Sequence, residues 1–567
     1  GPNNLHYGFD NKIWGVTGYS AFEGTVGGKE HKFSSGIYKF QPDGSSLEYI
    51  SNTTNNTWGL GFNEEGLVFA STANRNPAVF SAVPNRFYRS IRGQVSGQSG
   101  TPRLHMISNT SRIYPIMEDV RQVDQHGHYT AGSGFHIYTA RNFPESYWNR
   151  RAFVAEPTGH LLGEFILEPN GSDYYAHNAW NMLASRDEWF SPIQTKTGPD
   201  GTLWMIDWYN LVIQHNPFPE GWERGEGNAY VTDLRDQNHA RIYRIIYKDG
   251  EDKYQKFDLG DATPSEWVQA LNHENMFWRL TAQRLLVERG ELDVLPQLFE
   301  QVRNQEIDEL GLNPGALHAI WTLDGLGVLD GSHEQALQVA YRALHHPASS
   351  VRRAALMVIP RNQQSLDKIL AAGILPVPEV PGDMDYTVPT SLMMTSNPQV
   401  RLAAILAVAE MPQDERAGRA IAELIIHPQN VNDQWIRDAS TAAAAQNEQS
   451  FLTHILKKQI PQNADSTYQA NIRTVMERVS RHYALGSDPS SSIAEFLYNL
   501  EEANPVMGLG FLTGVSDGWP EDEIPSFTED ERNLLNRLRL NLPESYYESL
   551  DTLSEKWGSS EIFGSRE

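Results

Sequence analysis

The chain contains no cysteine. Disulfides, thiolate catalysis, cysteine-ligated zinc and covalent c-type haem are therefore excluded within it. Basic residues are scarce: Lys and Arg total 46 against 71 Asp and Glu, a net charge of −25. That field repels a phosphate backbone and an anionic membrane surface, so no nucleic acid partner is expected. No run approaches the ~18 uninterrupted apolar residues that a bilayer-spanning helix needs. The opening GPNNLHYGFD lacks the basic and apolar regions of a signal peptide. What is present is ordinary globular material: 567 residues, 40% hydrophobic and 21% charged. That length predicts roughly two to four domains.

Composition changes along the chain. Residues 1–247 hold eight of the 14 tryptophans. They read as short strand-length runs set beside acidic, Asn or Gly turns: FDNKIWGVTGY (9–19), NEEGLVFAST (63–72) and GPDGTLWMIDWY (198–209). RAFVAEPTGHLLGEF (151–165) has the same strand–turn–strand character. A period of roughly 50 residues points to β-propeller blades, with room for about four to five, so the propeller is expected to be incomplete at its N-terminus. A β-sandwich with long loops is the alternative.

Residues 263–460 switch to helical spacing rich in Ala and Leu. Four stretches each place an apolar-Arg pair before a small-residue helix: Trp278-Arg279, Val351-Arg352, Val400-Arg401 and Ile436-Arg437. This pattern predicts a HEAT-like α-solenoid, with a generic helical bundle as the alternative. The fold class expected is thus multidomain, β then α. Residues 1–247 form propeller blades, 248–262 a charged linker, 263–460 helical repeats and 461–567 a C-terminal helical segment. Residues 374–395 are a Pro-rich insertion. Thr528 and Glu531 have the spacing of a capping box.

No P-loop, GxSxG, HExxH or EF-hand motif occurs. Candidate chemistry therefore rests on single residues placed at blade ends. Asn4 and His6 open one inner-strand phrase and Asn56 and Trp58 another; His6 is a base or ligand, or a packed strand histidine. His126, His128 and His136 lie close together, and the i,i+2 pair His126 and His128 shares a strand face suited to imidazole ligation, or else these are loop and strand histidines. Asp207, Tyr209 and His239, with Asp236, suit hydroxyl recognition, aromatic stacking or calcium. Alternatively Asp207 and Arg241 are a buried structural pair. His6, His128 and Asp207 are the catalytic candidates. Asn4, Asn56, Trp58, Tyr209 and His239 are the substrate-binding candidates; no metal ligand is assigned. Leu5, Leu60 and Ile206 are expected to pack between blades.

The phrases NNLHYGFDNKIWGVTGYSAFEG, NNTWGLGFNEEG, HYTAGSGFHIYTARNFPESYWNRRAFVAEPTGHLL and WFSPIQTKTGPDGTLWMIDWYN, ending in RDQNHARIYRI, resemble the planctomycete-type "membrane-bound dehydrogenase" proteins. These carry a sorbosone/glucose-dehydrogenase-like β-propeller, then HEAT repeats, and often a haem-c domain. The resemblance spans about residues 1–460 and implies an extracytoplasmic, periplasmic or secreted bacterial protein. It further implies sugar or polyol oxidation with PQQ and calcium, electrons leaving to a haem or other acceptor outside this chain; a protein partner on the solenoid's concave face is expected from the repeat geometry. Departures are specific: the catalytic histidine of such enzymes would fall before Gly1, Asn55 stands where an arginine is usual, and no Cys-x-x-Cys-His site exists. A non-catalytic glycan-binding or interaction scaffold is the alternative function.

Overall fold

The computed structural model describes all residues except 94–100, 119, 121, 123, 215–235, 237, 254–255, 372–391, 522, 559–561 and 565–567. The chain divides into two compact units. The first comprises Gly1–Ala82 and Pro102–Ile359; the second comprises Val83–Thr101 and Pro360–Glu567. Sheets come first and helices follow, as the composition indicates. The sheets do not close into a barrel or propeller among the described residues.

Among the described residues, four antiparallel sheets of three or four strands and one two-stranded hairpin form the β part of the first unit. The first contains β1 (Pro2–Tyr7) and β2 (Ile13–Thr17), then, after the hairpin β3 (Phe22–Val26) and β4 (Lys29–Phe33), β5 (Gly36–Phe40) and β6 (Leu47–Asn52). The second is β7 (Thr57–Phe62), β8 (Val68–Thr72) and β9 (Val79–Phe80). The third is β10 (Ser133–Ile137), β11 (Arg151–Glu156), β12 (Leu161–Asn170) and β13 (Asp173–Ala184). The fourth is β14 (Pro192–Thr197), β15 (Leu203–Asp207) and β16 (Arg241–Ile245). In each, the chain passes from one strand to its neighbour, the least costly connection for antiparallel strands.

The first and fourth sheets share a device that explains the recurring turn phrases. Asp10 accepts from the Trp14 indole at 2.7 Å and from Lys39, which lies opposite Trp14, at 3.0 Å. Asp200 accepts from the Trp204 indole at 3.0 Å and from Arg244, opposite Trp204, at 2.6 Å. Each indole lies over the glycine that starts the turn; a Cβ on Gly8 or Gly198 would come within 2.4 Å of it. Acid, tryptophan and cross-strand cation thus pin the turn to the sheet. The apolar core between the third and fourth sheets joins Tyr138, Phe153, Leu162, Phe190, Leu203 and Met205. Each such burial contributes roughly 1.5–3 kcal/mol relative to exposure.

The same turns hold the helices of the first unit. Glu64, fully buried, receives Arg141 at 2.6 Å and Arg279 of the helix Met276–Arg289 at 2.5 Å. Asn11 donates to the Trp321 carbonyl at 2.8 Å and accepts from Gln283 at 2.7 Å. Asn275 and the Trp278 indole donate to the carbonyls of Gly198 and Pro199, each at 2.8 Å. Helices Met276–Arg289, Pro314–Gly325 and Ser349–Val358 pack in one row, with Leu295–Arg303 against Glu334–Ala343 in another.

The apolar-Arg stations have one structural role. Each arginine reaches back to the carbonyl six residues earlier: Arg279 to His273 and Arg352 to His346, both at 2.7 Å, Arg401 to Thr395 at 2.7 Å, and Arg437 to Val431 at 2.9 Å. Burial lowers the pKa of all four guanidinium groups. The loop carbonyl ahead of each helix is thereby satisfied away from water. Two stations lie in the first unit and two in the second.

In the second unit, Tyr88 donates to the buried Asp438 at 2.9 Å, and the Arg92 backbone N–H donates to His482 Nδ1 at 2.8 Å. Helices Ser466–Ala484 and Pro505–Gly518 pack closely, and a Cβ on Gly514 would sit 2.3 Å from the Glu477 carbonyl oxygen. Thr528 and Glu531 form the expected capping box on Glu529–Asn541. The Pro-rich insertion lies almost wholly outside the described residues.

Candidate functional site

The leading strands β1, β7, β10 and β14 lie next to one another in that order. Asn3 donates to the Thr57 carbonyl at 3.3 Å and Asn4 to the Trp58 carbonyl at 2.7 Å, joining β1 to β7. Ser71 of β8 donates to the Gly134 carbonyl at 3.0 Å, joining the second sheet to β10. The penultimate residues of β1, β10 and β14 are His6, His136 and Lys196. The Lys196 amine lies 2.9 Å from His6 Nδ1 and 2.8 Å from Nε2. The Phe62 ring meets His6 edge-on, with centroids 6.1 Å apart. Buried His136 accepts the Thr197 N–H on Nε2 at 2.7 Å. Burial holds both histidines well below the usual imidazole range, with Lys196 adding to the effect, and pulls the Lys196 amine down to about 7.

A second grouping stands at the end of β15. Asp207 is fully buried, with Oδ1 accepting from the backbone N–H of Ser191 at 2.7 Å and of Tyr209 at 2.9 Å. Its Oδ2 takes Arg241 at 2.6 Å, and Arg241 pairs also with Asp187 at 2.9 Å. These bonds commit the carboxylate to the fold. The residues it positions form a shelf. Tyr209, at φ +54°, stacks on Trp189 with centroids 5.3 Å apart, under the Arg241 guanidinium at 4.4 Å. His239 approaches Tyr209 edge-on at 6.3 Å and pairs with Asp236 at 2.6 Å. A cavity of about 240 Å³ adjoins it in sequence, lined by Thr158, His160, Glu188 and Leu211 among others.

The contacts therefore set the eight candidates in separate groups. Asn4 bonds the Trp58 carbonyl, while the Trp58 side chain is exposed. His6 joins Lys196. Asp207 orients Tyr209, which meets His239. Asn56 accepts the Tyr19 N–H at 2.9 Å, and His128 bonds the Ser111 hydroxyl at 2.8 Å. Burial, followed by Arg75 and Arg112, lowers the His128 pKa. His215, Arg235 and Gln237 lie outside the described residues.

Two packing expectations need correction. Leu60 is fully buried, but Leu5 is 59% and Ile206 44% exposed. A register shift between Asn3 and His6, with Asn4 at φ +53°, turns Leu5 outward. Along β15 burial alternates strictly, and Ile206 falls on the open face with Trp204. Lys196 was absent from the sequence candidates. Its only signal was a lysine inside the leading-strand phrase SPIQTKT.

Among the described residues no group of three or more His, Asp or Glu is disposed to hold a metal ion. PQQ, a quinone bearing several carboxylates, does not fit. Arg241 is already paired with two aspartates, and the one described cation at the ends of β1, β10 and β14, Lys196, is shifted towards its neutral form.

Residues 1–249 match the family described as "Domain of unknown function (DUF7133)". No curated protein matches the chain. Among solved structures, the PQQ-bound form of aldose sugar dehydrogenase from Streptomyces coelicolor is similar at 16% identity, with a TM-score of 0.24, covering 37% of this chain and 55% of that one. A glucose dehydrogenase crystal structure is similar at 15% identity, with a TM-score of 0.23, covering 36% of this chain and 60% of that one. The chain thus spans little more than half the length of these structures. These comparisons give no support to the haem-binding dehydrogenase family or to HEAT repeats. No helix among the described residues is long and apolar enough to cross a membrane.

Proposed function

We propose that the first unit is a dehydrogenase-like module that binds a carbohydrate or polyol on the Trp189–Tyr209–His239 shelf, without quinone chemistry in this chain. In this reading the four sheets are blades of an incomplete propeller, the helices form a HEAT-like solenoid that offers a protein-docking face, and the protein works outside the cytoplasm. The observation that carries it is the shelf itself: a stacked aromatic pair flanked by Asp236, His239 and Asp187. An aromatic face packs against the C–H face of a sugar, and the polar rim satisfies its hydroxyls. Asp207 and Arg241 hold the shelf rigid, and that limits the entropy lost on binding.

The test is calorimetric titration of the purified chain with a panel of monosaccharides and polyols. A binder should emerge, and Tyr209→Ala should weaken it by about 1–2 kcal/mol, roughly 5–30-fold. Trp58→Ala should leave affinity unchanged. Sugar-dependent reduction of an artificial acceptor on adding PQQ and calcium would contradict the reading, as would affinity indifferent to Tyr209.

A further inference from the structure

Lys196, His6 and His136 bring together basic groups from three different strands, and among the described residues no carboxylate pairs with the amine. Elsewhere in the same unit Arg279 and Arg141 are matched with Glu64, and Arg352 is held by loop carbonyls. The Thr197 N–H bonded to His136 Nε2 leaves the His136 proton on Nδ1. The His6 ring against an amine that no described acid pairs with favours its free-base form, the form that attacks carbon. Lys196 and His6 are half-buried rather than sealed, and Trp204, opposite Lys196 across β14–β15, is 38% exposed.

We propose that Lys196 is a nucleophilic amine that condenses with a small aldehyde, the class that includes open-chain aldoses, with His6 as its proton carrier. The lysine nitrogen lone pair forms the new C–N bond as the carbonyl oxygen takes up a proton. The resulting carbinolamine loses that oxygen as water, both departing protons coming from the original amine. The product is an imine, and no oxidant or reductant enters. His6, in contact with the amine, carries each proton between nitrogen and oxygen. This site is independent of the Tyr209 shelf, so either proposal stands if the other fails.

The test uses the full chain, glycolaldehyde as probe and cyanoborohydride to trap the imine at pH 7, with adducts located by peptide mass spectrometry. An ordinary lysine is free base at about one part in 10³ at pH 7. Lys196 should therefore be labelled at least about tenfold faster than the exposed Lys32, with the ratio collapsing near pH 10 as all lysines deprotonate. His6→Gln should slow labelling of Lys196 several-fold and leave Lys32 unchanged. Labelling of Lys196 no faster than Lys32 at pH 7, or none at all, would overturn the proposal. Unchanged labelling in His6→Gln would remove the role given to His6.

Discussion

Arg279 and Lys196 are both cations drawn out of bulk water in the first unit, and their surroundings differ in kind. Arg279 shares Glu64 with Arg141, and its Nη1 donates to the His273 carbonyl. Lys196 meets the His6 imidazole and, among the described residues, no acid. The first arrangement is electrostatically closed, and its product is a fixed junction between turn and helix. The second is open, and an amine without a counter-charge shifts towards its neutral, reactive form. The repeated acidic turns and arginine stations are therefore scaffold, and the proposed chemistry rests on the base that no described acid matches.

Breaking the closed arrangement should produce the largest effect. Glu64→Ala strands the buried Arg279 guanidinium and leaves Arg141 only Asp308, and a loss of about 3–5 kcal/mol in urea unfolding is expected. Next come the stations. Arg437→Ala leaves the Val431 carbonyl without its donor, and about 1–3 kcal/mol should be lost from the second unit. Smaller again is Thr528→Ala, about 1 kcal/mol, from the capping box alone.

The open arrangement should respond in the opposite sense. Lys196→Met removes an uncompensated amine, so at pH 7 stability should hold or rise. The folded pKa lies near 7, below the ordinary lysine value. Between about pH 7 and 10 the unfolded chain therefore binds more protons, and wild-type stability gains with pH relative to Lys196→Met. Below pH 7 that difference is flat. His6 and His136, also depressed, subtract stability as pH falls below the usual imidazole value. Parallel stability curves for wild type and Lys196→Met between pH 7 and 10 would place Lys196 in the same class as Arg279.

The scaffold was legible in the sequence because it repeats. The turns at 10 and 200 and the four apolar-Arg pairs are local patterns with local causes, an indole bond or a carbonyl six residues back. Their partners were not legible. Glu64 meets Arg279 across 215 residues, and nothing in NEEG announces that distance. Asp207 and Arg241 were readable as either site or structure, and the bonds to Ser191 and Tyr209 show that Asp207 supports the shelf rather than facing it. Trp189 carries no sequence signal because its stacking on Tyr209 depends on the positive φ of Tyr209. Lys196 went unnoticed because a single lysine in a strand has no periodic signature; its meaning comes from β1 and β10 arriving beside it. Leu5 was misplaced for a related reason, since a bulge at Asn4 reverses the facing that strict alternation gives.

The contrast between the paired and unpaired cations is tested most directly by an NMR titration of the lysine side-chain ε-methylene signals from pH 5 to 11. One signal should titrate near 7 and vanish in Lys196→Met, while the others keep the ordinary midpoint of about 10.4. A spectrum in which every lysine titrates near the ordinary value would contradict it, because Lys196 would then be charged at neutral pH and no more reactive than a surface lysine.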